Sequence, residues 1–334
     1  MPDLKNPWVK WAGFIVAIIP FVLIFRRIDF HHMVFEILPK VAWWTIPLVF
    51  AGTLLSLTIQ GTRWWLLLRA FTDEIPFLQG LSCHFMSLYY SSVLPTGAGE
   101  EVLRTLFVLK KTGAAVGWGA AWICKITALM LSLLFSIYGL ASLSKGSLPR
   151  ALTMSIGFFS LLVILIAVVS FSKKFTAPIR SLAATRLPAK IMAAIEEIRE
   201  GVYRYRHKKK ALIETLVLTF LIQFLLVFNA SVIITGITGR VYFLECLAFI
   251  PIIEIASMSV PITPNGMGIR EGLTALMFTH IGLTPDQLGI YILIALSATM
   301  LRLVGAVPTF FYAGQAAQPL RNAAQGKPIT KEQA

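Results

Sequence analysis

The chain has 334 residues, 57% of them hydrophobic and 14% charged, with a mean hydropathy of +0.75 and a net charge of +14. Soluble domains carry about 25% charged residues, so a soluble globule is excluded and a polytopic helical membrane protein is expected. Nucleic acid is not the expected partner either: residues 172–210 alone hold eleven Lys/Arg against three Glu, leaving +6 elsewhere, and a basic loop between apolar spans follows the positive-inside rule.

The first predicted span is 11–25, between Lys10 and the pair Arg26 and Arg27. It lacks a small-x-small cleavage site and leads straight into further apolar sequence, so it reads as a retained helix rather than a signal peptide. The second span is 42–67. Its pairs Trp43–Trp44 and Trp64–Trp65 lie 21 residues apart, about 31 Å at 1.5 Å per residue. That matches a hydrocarbon core of about 30 Å and the interfacial preference of tryptophan. Arg63 and Arg69 read as anchors at its cytoplasmic end.

Residues 77–93 are apolar, but Pro95, Gly97 and Gly99 then break the helix, and 102–109 is too short to cross before Lys110 and Lys111. Two short arms about a broken tip read as a re-entrant helical hairpin. Such backbone is tolerated at membrane depth only where protein or a water-filled cavity shields it. Spans 114–143 and 152–171 follow and return the chain to the basic loop. There Ile191, Ile195, Ile198, Val202 and Tyr205 recur at helical spacing among Glu196, Glu197, Glu200 and Arg206. This amphipathic helix either grips anionic lipids at the cytoplasmic face or serves only as a topology signal.

After a span at 211–234, the same punctuation returns. Residues 241–261 lead to a second break at Pro264, Asn265, Gly266 and Gly268, and 269–281 leave it. Pro95, Gly97 and Gly99 match Pro264, Gly266 and Gly268 at a constant offset of 169 residues. The last span is 288–312, followed by a polar tail at 315–334. The expected fold is therefore an all-α polytopic membrane protein with six transmembrane helices and two re-entrant hairpins. Residues 1–314 form one transmembrane domain, its halves being about 10–150 and 151–314. With Lys110, Lys111, the basic loop and the tail inside, both termini are cytoplasmic and the hairpins enter from opposite sides, as in an inverted repeat. Arg26 and Arg27 then lie outside, against the rule, and must snorkel to headgroups.

Glu100, Glu101, Arg104, Arg270 and Glu271 beside the two breaks need explaining. An ionisable group at the centre of a membrane helix costs about 2.5–3.5 kcal/mol, so these five must be paired, hydrated or near an interface. Glu100 and Arg104 are four apart and share a helix face. Exposed amides after Gly99 or Gly268 favour an anion such as phosphate. Either the charges meet a lipid headgroup in a hydrated cavity, or they form an ion-pair network that pins the hairpins together. Lys125, near mid-membrane, is either a partner of Glu100 or Glu101 or a phosphate ligand. Glu245, Glu254 and Arg302 are weaker candidates because no motif surrounds them. The three cysteines are widely spaced, and His31, His32, His84 and His280 show no ligand spacing, so neither a metal site nor a cofactor is expected.

Two segments carry a family resemblance. One is Tyr89-Tyr90-Ser91-Ser92-Val93-Leu94-Pro95 with Gly97-Ala98-Gly99-Glu100-Glu101-x-x-Arg104. The other is Pro261-Ile262-Thr263-Pro264-Asn265-Gly266-Met267-Gly268-Ile269-Arg270-Glu271-Gly272. Through them the chain, over roughly residues 10–313, resembles the flippase-like transmembrane domain of the lysylphosphatidylglycerol synthase family. The resemblance implies a lipid translocator in a cytoplasmic membrane, bacterial or archaeal. This chain has Gly99-Glu100-Glu101 where relatives commonly read Gly-Gly-Asp, and Lys125 where they often carry Arg, so substrate identity does not transfer. With about twenty residues after the last span, a soluble aminoacyl-transferase domain is not expected.

The leading expectation is a transporter that moves an anionic or zwitterionic lipid headgroup through a cavity between the hairpins. Its expected substrate-binding residues are Pro95, Gly97, Gly99, Glu100, Glu101, Arg104, Lys125, Pro264, Asn265, Gly266, Gly268, Arg270 and Glu271. The alternatives are a membrane-embedded lipid-modifying enzyme using Glu101 as general base, and a non-catalytic partner of a lipid or cell-envelope biosynthesis enzyme. A homo-oligomer is left open.

Overall fold

In the computed structural model the described residues are 30–93, 99–144, 165, 189–259 and 268–311, and the regular structure among them is helical. Short helical turns at Phe30–His32, Met33–Ile37 and Leu38–Lys40 precede the main helices. These are α1 (Thr45–Arg69), α2 (Phe77–Val93), α3 (Gly99–Thr112), α4 (Ala114–Ser144) and α5 (Ala189–Tyr205), then α6 (Lys209–Thr238), α7 (Phe243–Ser259), α8 (Ile269–Thr279) and α9 (Pro285–Thr299). The chain continues helically from α9 through a 3-10 turn at Met300–Gly305 to Phe311.

Among the described residues four helices are long and apolar enough to cross a membrane: Thr45–Arg69, Ala114–Leu143, Lys209–Thr238 and Pro285–Phe311. They coincide with the spans expected at 42–67, 114–143, 211–234 and 288–312. The spans expected at 11–25 and 152–171, the tail and both break tips lie outside the described residues. Within the described residues α2 and α7 each cover 17 residues, α3 covers 14 and α8 covers 11.

Packing links the two halves reciprocally. α2 packs on α3 and α7 on α8, while α4 lies along α7 and the 3-10 turn of the last span lies along α2. The last two crossings, which join the halves, are each made at a glycine. A Cβ on Gly139 of α4 would stand 2.5 Å from the Ala248 backbone nitrogen of α7, and one on Gly305 would collide with the Phe85 carbonyl of α2. Without a side chain at these points the helix backbones meet directly, a device common between membrane helices.

Among the described residues two large apolar clusters result, beside a small one of Leu57, Phe85 and Leu88. One joins α6, α7, α8 and α9 around Ile234, Cys246, Ile253, Phe278 and Ile290; the other joins α1 to α5 around Trp64, Leu67, Leu68, Ile123 and Tyr205. Trp43 is exposed as expected of an interfacial ring, whereas Trp64 is fully buried. The second tryptophan pair therefore packs against protein rather than standing at a lipid interface, since α2, α3 and α4 cover that end of α1. α5 also turns its apolar side inward. Val202 and Tyr205 are buried, and Gly201 lies against Gly119 of α4. The Tyr205 hydroxyl donates to the carbonyls of Leu67 and Val116 at 3.1 and 3.3 Å. Burial holds this phenol well above the usual tyrosine range, so it remains a donor. The basic residues that follow, Arg206 to Lys210, stay exposed.

Gly139→Ala is expected to force α4 and α7 apart and cost about 1–3 kcal/mol, the usual range for overpacking. A lowered Tm of the purified protein in detergent checks it.

Candidate functional site

Three spanning helices carry polar stripes on faces that are otherwise apolar. On α1 the stripe is Thr53, Ser56, Gln60 and Arg63, spaced by three, four and three residues. That spacing keeps them on one helical face. α4 contributes Lys125 and Ser132, and α6 contributes Gln223 and Asn229. Polar groups facing lipid would be costly, so the helices turn these stripes toward one another. They enclose a cavity of about 310 Å³, which α3, α7, α8 and the last span complete.

Into this cavity the two breaks deliver their charges. Glu100 and Glu101 occupy the first turn of α3, where unpaired amides and the helix dipole favour carboxylates. Glu100 contacts Arg104 Nη1 at 3.6 Å through one oxygen and Arg302 Nη1 at 3.9 Å through the other. Glu101 meets Lys125 Nζ at 3.5 Å, and Glu254 meets Arg270 Nε at 3.1 Å. Glu271 turns back on its own helix instead. Its Oε2 accepts from the backbone N–H of Gly268 at 2.6 Å and caps the start of α8. Gly268 has φ +84°, a backbone conformation open to glycine and strained for other residues.

Arg104 is the most elaborately held of these groups and is only 4% exposed. Beyond Glu100, its guanidinium lies 5.3 Å from the Trp64 ring centroid and its Nη1 3.4 Å from His84 Nδ1. His84 Nε2 is 3.1 Å from the Leu57 carbonyl. The carbonyl can only accept, so Nε2 carries the proton and Nδ1 is left to accept from Arg104. Gly61 of α1 makes room for this ring, since a Cβ there would stand 2.8 Å from His84 Cδ2. His84 is therefore a positioning residue for Arg104.

Of the expected site residues, Glu100, Glu101, Arg104, Lys125, Arg270 and Glu271 all line this one cavity. Gly99 and Gly268 stand at the starts of α3 and α8 beside it. Pro95, Gly97, Pro264, Asn265 and Gly266 lie outside the described residues. Glu254 and Arg302, the weaker candidates, line it as partners of the others; Glu245 does not. Arg63 departs from its expected role as an interfacial anchor. It is 7% exposed and lines the cavity, with Nη1 donating to Thr219 Oγ1 at 2.9 Å. The signal that would have found it, with Gln60, is the stripe spacing on α1. Arg69 is exposed beside Asp73 and fits the anchor role.

The family model described as the lysylphosphatidylglycerol synthase TM region matches residues 10–305. The chain is also similar to a UPF0104 membrane protein of Pyrococcus horikoshii, at 21% identity over 270 residues, covering 74% of this chain and 78% of the relative. No solved structure matches it.

Glu254→Gln is expected to remove the 3.1 Å ion pair with Arg270 and to cost about 1–3 kcal/mol. Arg270→Gln should do the same. Combining the two should cost less than their sum, and thermal unfolding of the three variants measures that coupling.

Proposed function

The chain belongs to the lysylphosphatidylglycerol synthase transmembrane-region family of multi-pass cell-membrane proteins, and from that premise we propose that it is a lipid transporter of the flippase type. The observation that carries the proposal is the single cavity in which charges from both breaks converge. A charged headgroup crosses hydrocarbon only if protein dipoles and charges replace its hydration shell, and this lining offers both signs together with hydroxyls and amides.

In this reading the chain has six spans with cytoplasmic termini. α2–α3 and α7–α8 are re-entrant hairpins entering from the cytoplasm and from outside, the two halves of an inverted repeat. The reciprocal helix crossings at Gly139 and Gly305, 166 residues apart, support that symmetry. Alternating access requires a contact between halves that makes and breaks. Glu100–Arg302 joins the halves and, at 3.9 Å, is the longest of the four ion pairs described in the cavity, so it parts at the lowest cost. The exposed basic run Arg206 to Lys210 adds affinity for anionic lipid at the cytoplasmic face, about 1 kcal/mol per residue close to the surface.

Reconstitution into liposomes containing labelled phospholipids tests the proposal. Wild-type protein should move lipid between leaflets faster than empty liposomes do. Glu101→Gln and Arg270→Ala should each slow it by about tenfold or more, the effect of losing one charge-assisted contact. Equal rates in protein-containing and empty liposomes would refute transport.

A further inference from the structure

The cavity lining is formally unbalanced. Among the described residues Arg63, Arg104, Lys125, Arg270 and Arg302 face four carboxylates, those of Glu100, Glu101, Glu254 and Glu271. Each carboxylate is already engaged, with Arg104 and Arg302, with Lys125, with Arg270 and with the Gly268 amide. Among the described residues Arg63 has no carboxylate within 4.0 Å; its Nη1 donates to the neutral hydroxyl of Thr219. The break tips, residues 94–98 and 260–267, contain no ionisable side chain that would restore the balance. A guanidinium cannot shed its proton, so an unanswered buried charge of this kind requires an anion.

Two groups here lack partners among the described residues. The Arg63 Nε is buried with no acceptor, and Gln223 Oε1 on α6 is buried with no donor. Gln223 stands one helical turn beyond Thr219, the hydroxyl that holds Arg63, and Gln60 stands one turn before Arg63 on α1. The lining thus offers a cationic donor with a neutral acceptor one helical turn away.

Building on the transporter reading, we propose that Arg63 is the phosphate subsite of the cavity. Its substrate class is a monoanionic phosphodiester lipid with an uncharged, hydroxyl-bearing headgroup. One negative charge on the phosphate cancels the surplus cation, and a headgroup hydroxyl donates to Gln223 Oε1. A zwitterionic headgroup brings its own ammonium and leaves the surplus in place. A lipid without phosphate leaves Arg63 unanswered.

The test measures binding of phosphatidylglycerol, phosphatidylethanolamine and diacylglycerol to the purified full chain by native mass spectrometry, beside the acyl-free diester glycerophosphoglycerol. Wild-type protein should bind phosphatidylglycerol about tenfold or more tighter than the other two lipids, as one charge-assisted contact implies. Arg63→Gln should erase that preference and Arg63→Lys should keep part of it. Arg63→Gln should also hold or raise Tm in lipid-free detergent, because it removes an unanswered buried charge; a purely structural arginine would lower it. Retained preference in Arg63→Gln overturns the inference, as does glycerophosphoglycerol competing as well as the intact lipid, which would make this a site for free phosphodiesters. The two readings fail separately. Transport that is unchanged by Arg63→Gln and indifferent to headgroup sinks only the subsite. A wild-type protein that moves no phospholipid sinks transport, while the binding preference still decides Arg63.

Discussion

Ionised groups enclosed by apolar helices must find counter-charges, and this protein is arranged around that requirement. Two charges 4 Å apart interact by about 4 kcal/mol at an effective dielectric constant near 20, enough to offset the cost of placing one such group in a membrane helix. Glu100, Glu101 and Glu254 sit at 3.1–3.9 Å from their cations. Those pairs are drawn from α3, α4, α7, α8 and the last span. The charges hold the helices in register, and the helices hold the charges out of lipid.

Helix starts contribute to the arrangement. A helix exposes unpaired amides at its first turn, and both α3 and α8 place carboxylates there. Glu100 and Glu101 look outward from those amides to cations, Arg302 and Lys125 on other helices among them, whereas Glu271 bends back to satisfy one of them. The same element, a half-helix start with acidic residues, therefore supplies ligands at one break and a cap at the other. Glycine completes the geometry. At Gly139 and Gly305 the backbones of opposite halves touch, which draws the two sets of charges close enough to share a cavity.

Around the charges lies a layer of neutral polar groups. Thr219 holds Arg63, and the His84 ring between Leu57 and Arg104 fixes a guanidinium that Trp64 also covers. These residues orient cations instead of neutralising them. Among the described residues this lining is oriented yet short of one negative charge, the charge that the proposed phosphate would supply.

The linear sequence by itself determined the class of the protein and the position of its breaks. Apolar runs of membrane length at 42–67, 114–143, 211–234 and 288–312 reappear as helices because backbone hydrogen bonding in a membrane leaves few alternatives. The start of α8 at Gly268 was equally legible, since a glycine with positive φ acts locally; the two proline-glycine tips lie outside the described residues. Only the tertiary structure decided which charge meets which. Glu254 and Arg270 are 16 residues apart, and Glu100 and Arg302 are 202 apart, so neither pair follows from local spacing. It also moved Trp64 and Arg63 from an expected lipid interface into the protein. Hydropathy along one helix shows which residues are apolar or charged, but whether a face meets lipid, protein or a cavity depends on the helices packed against it.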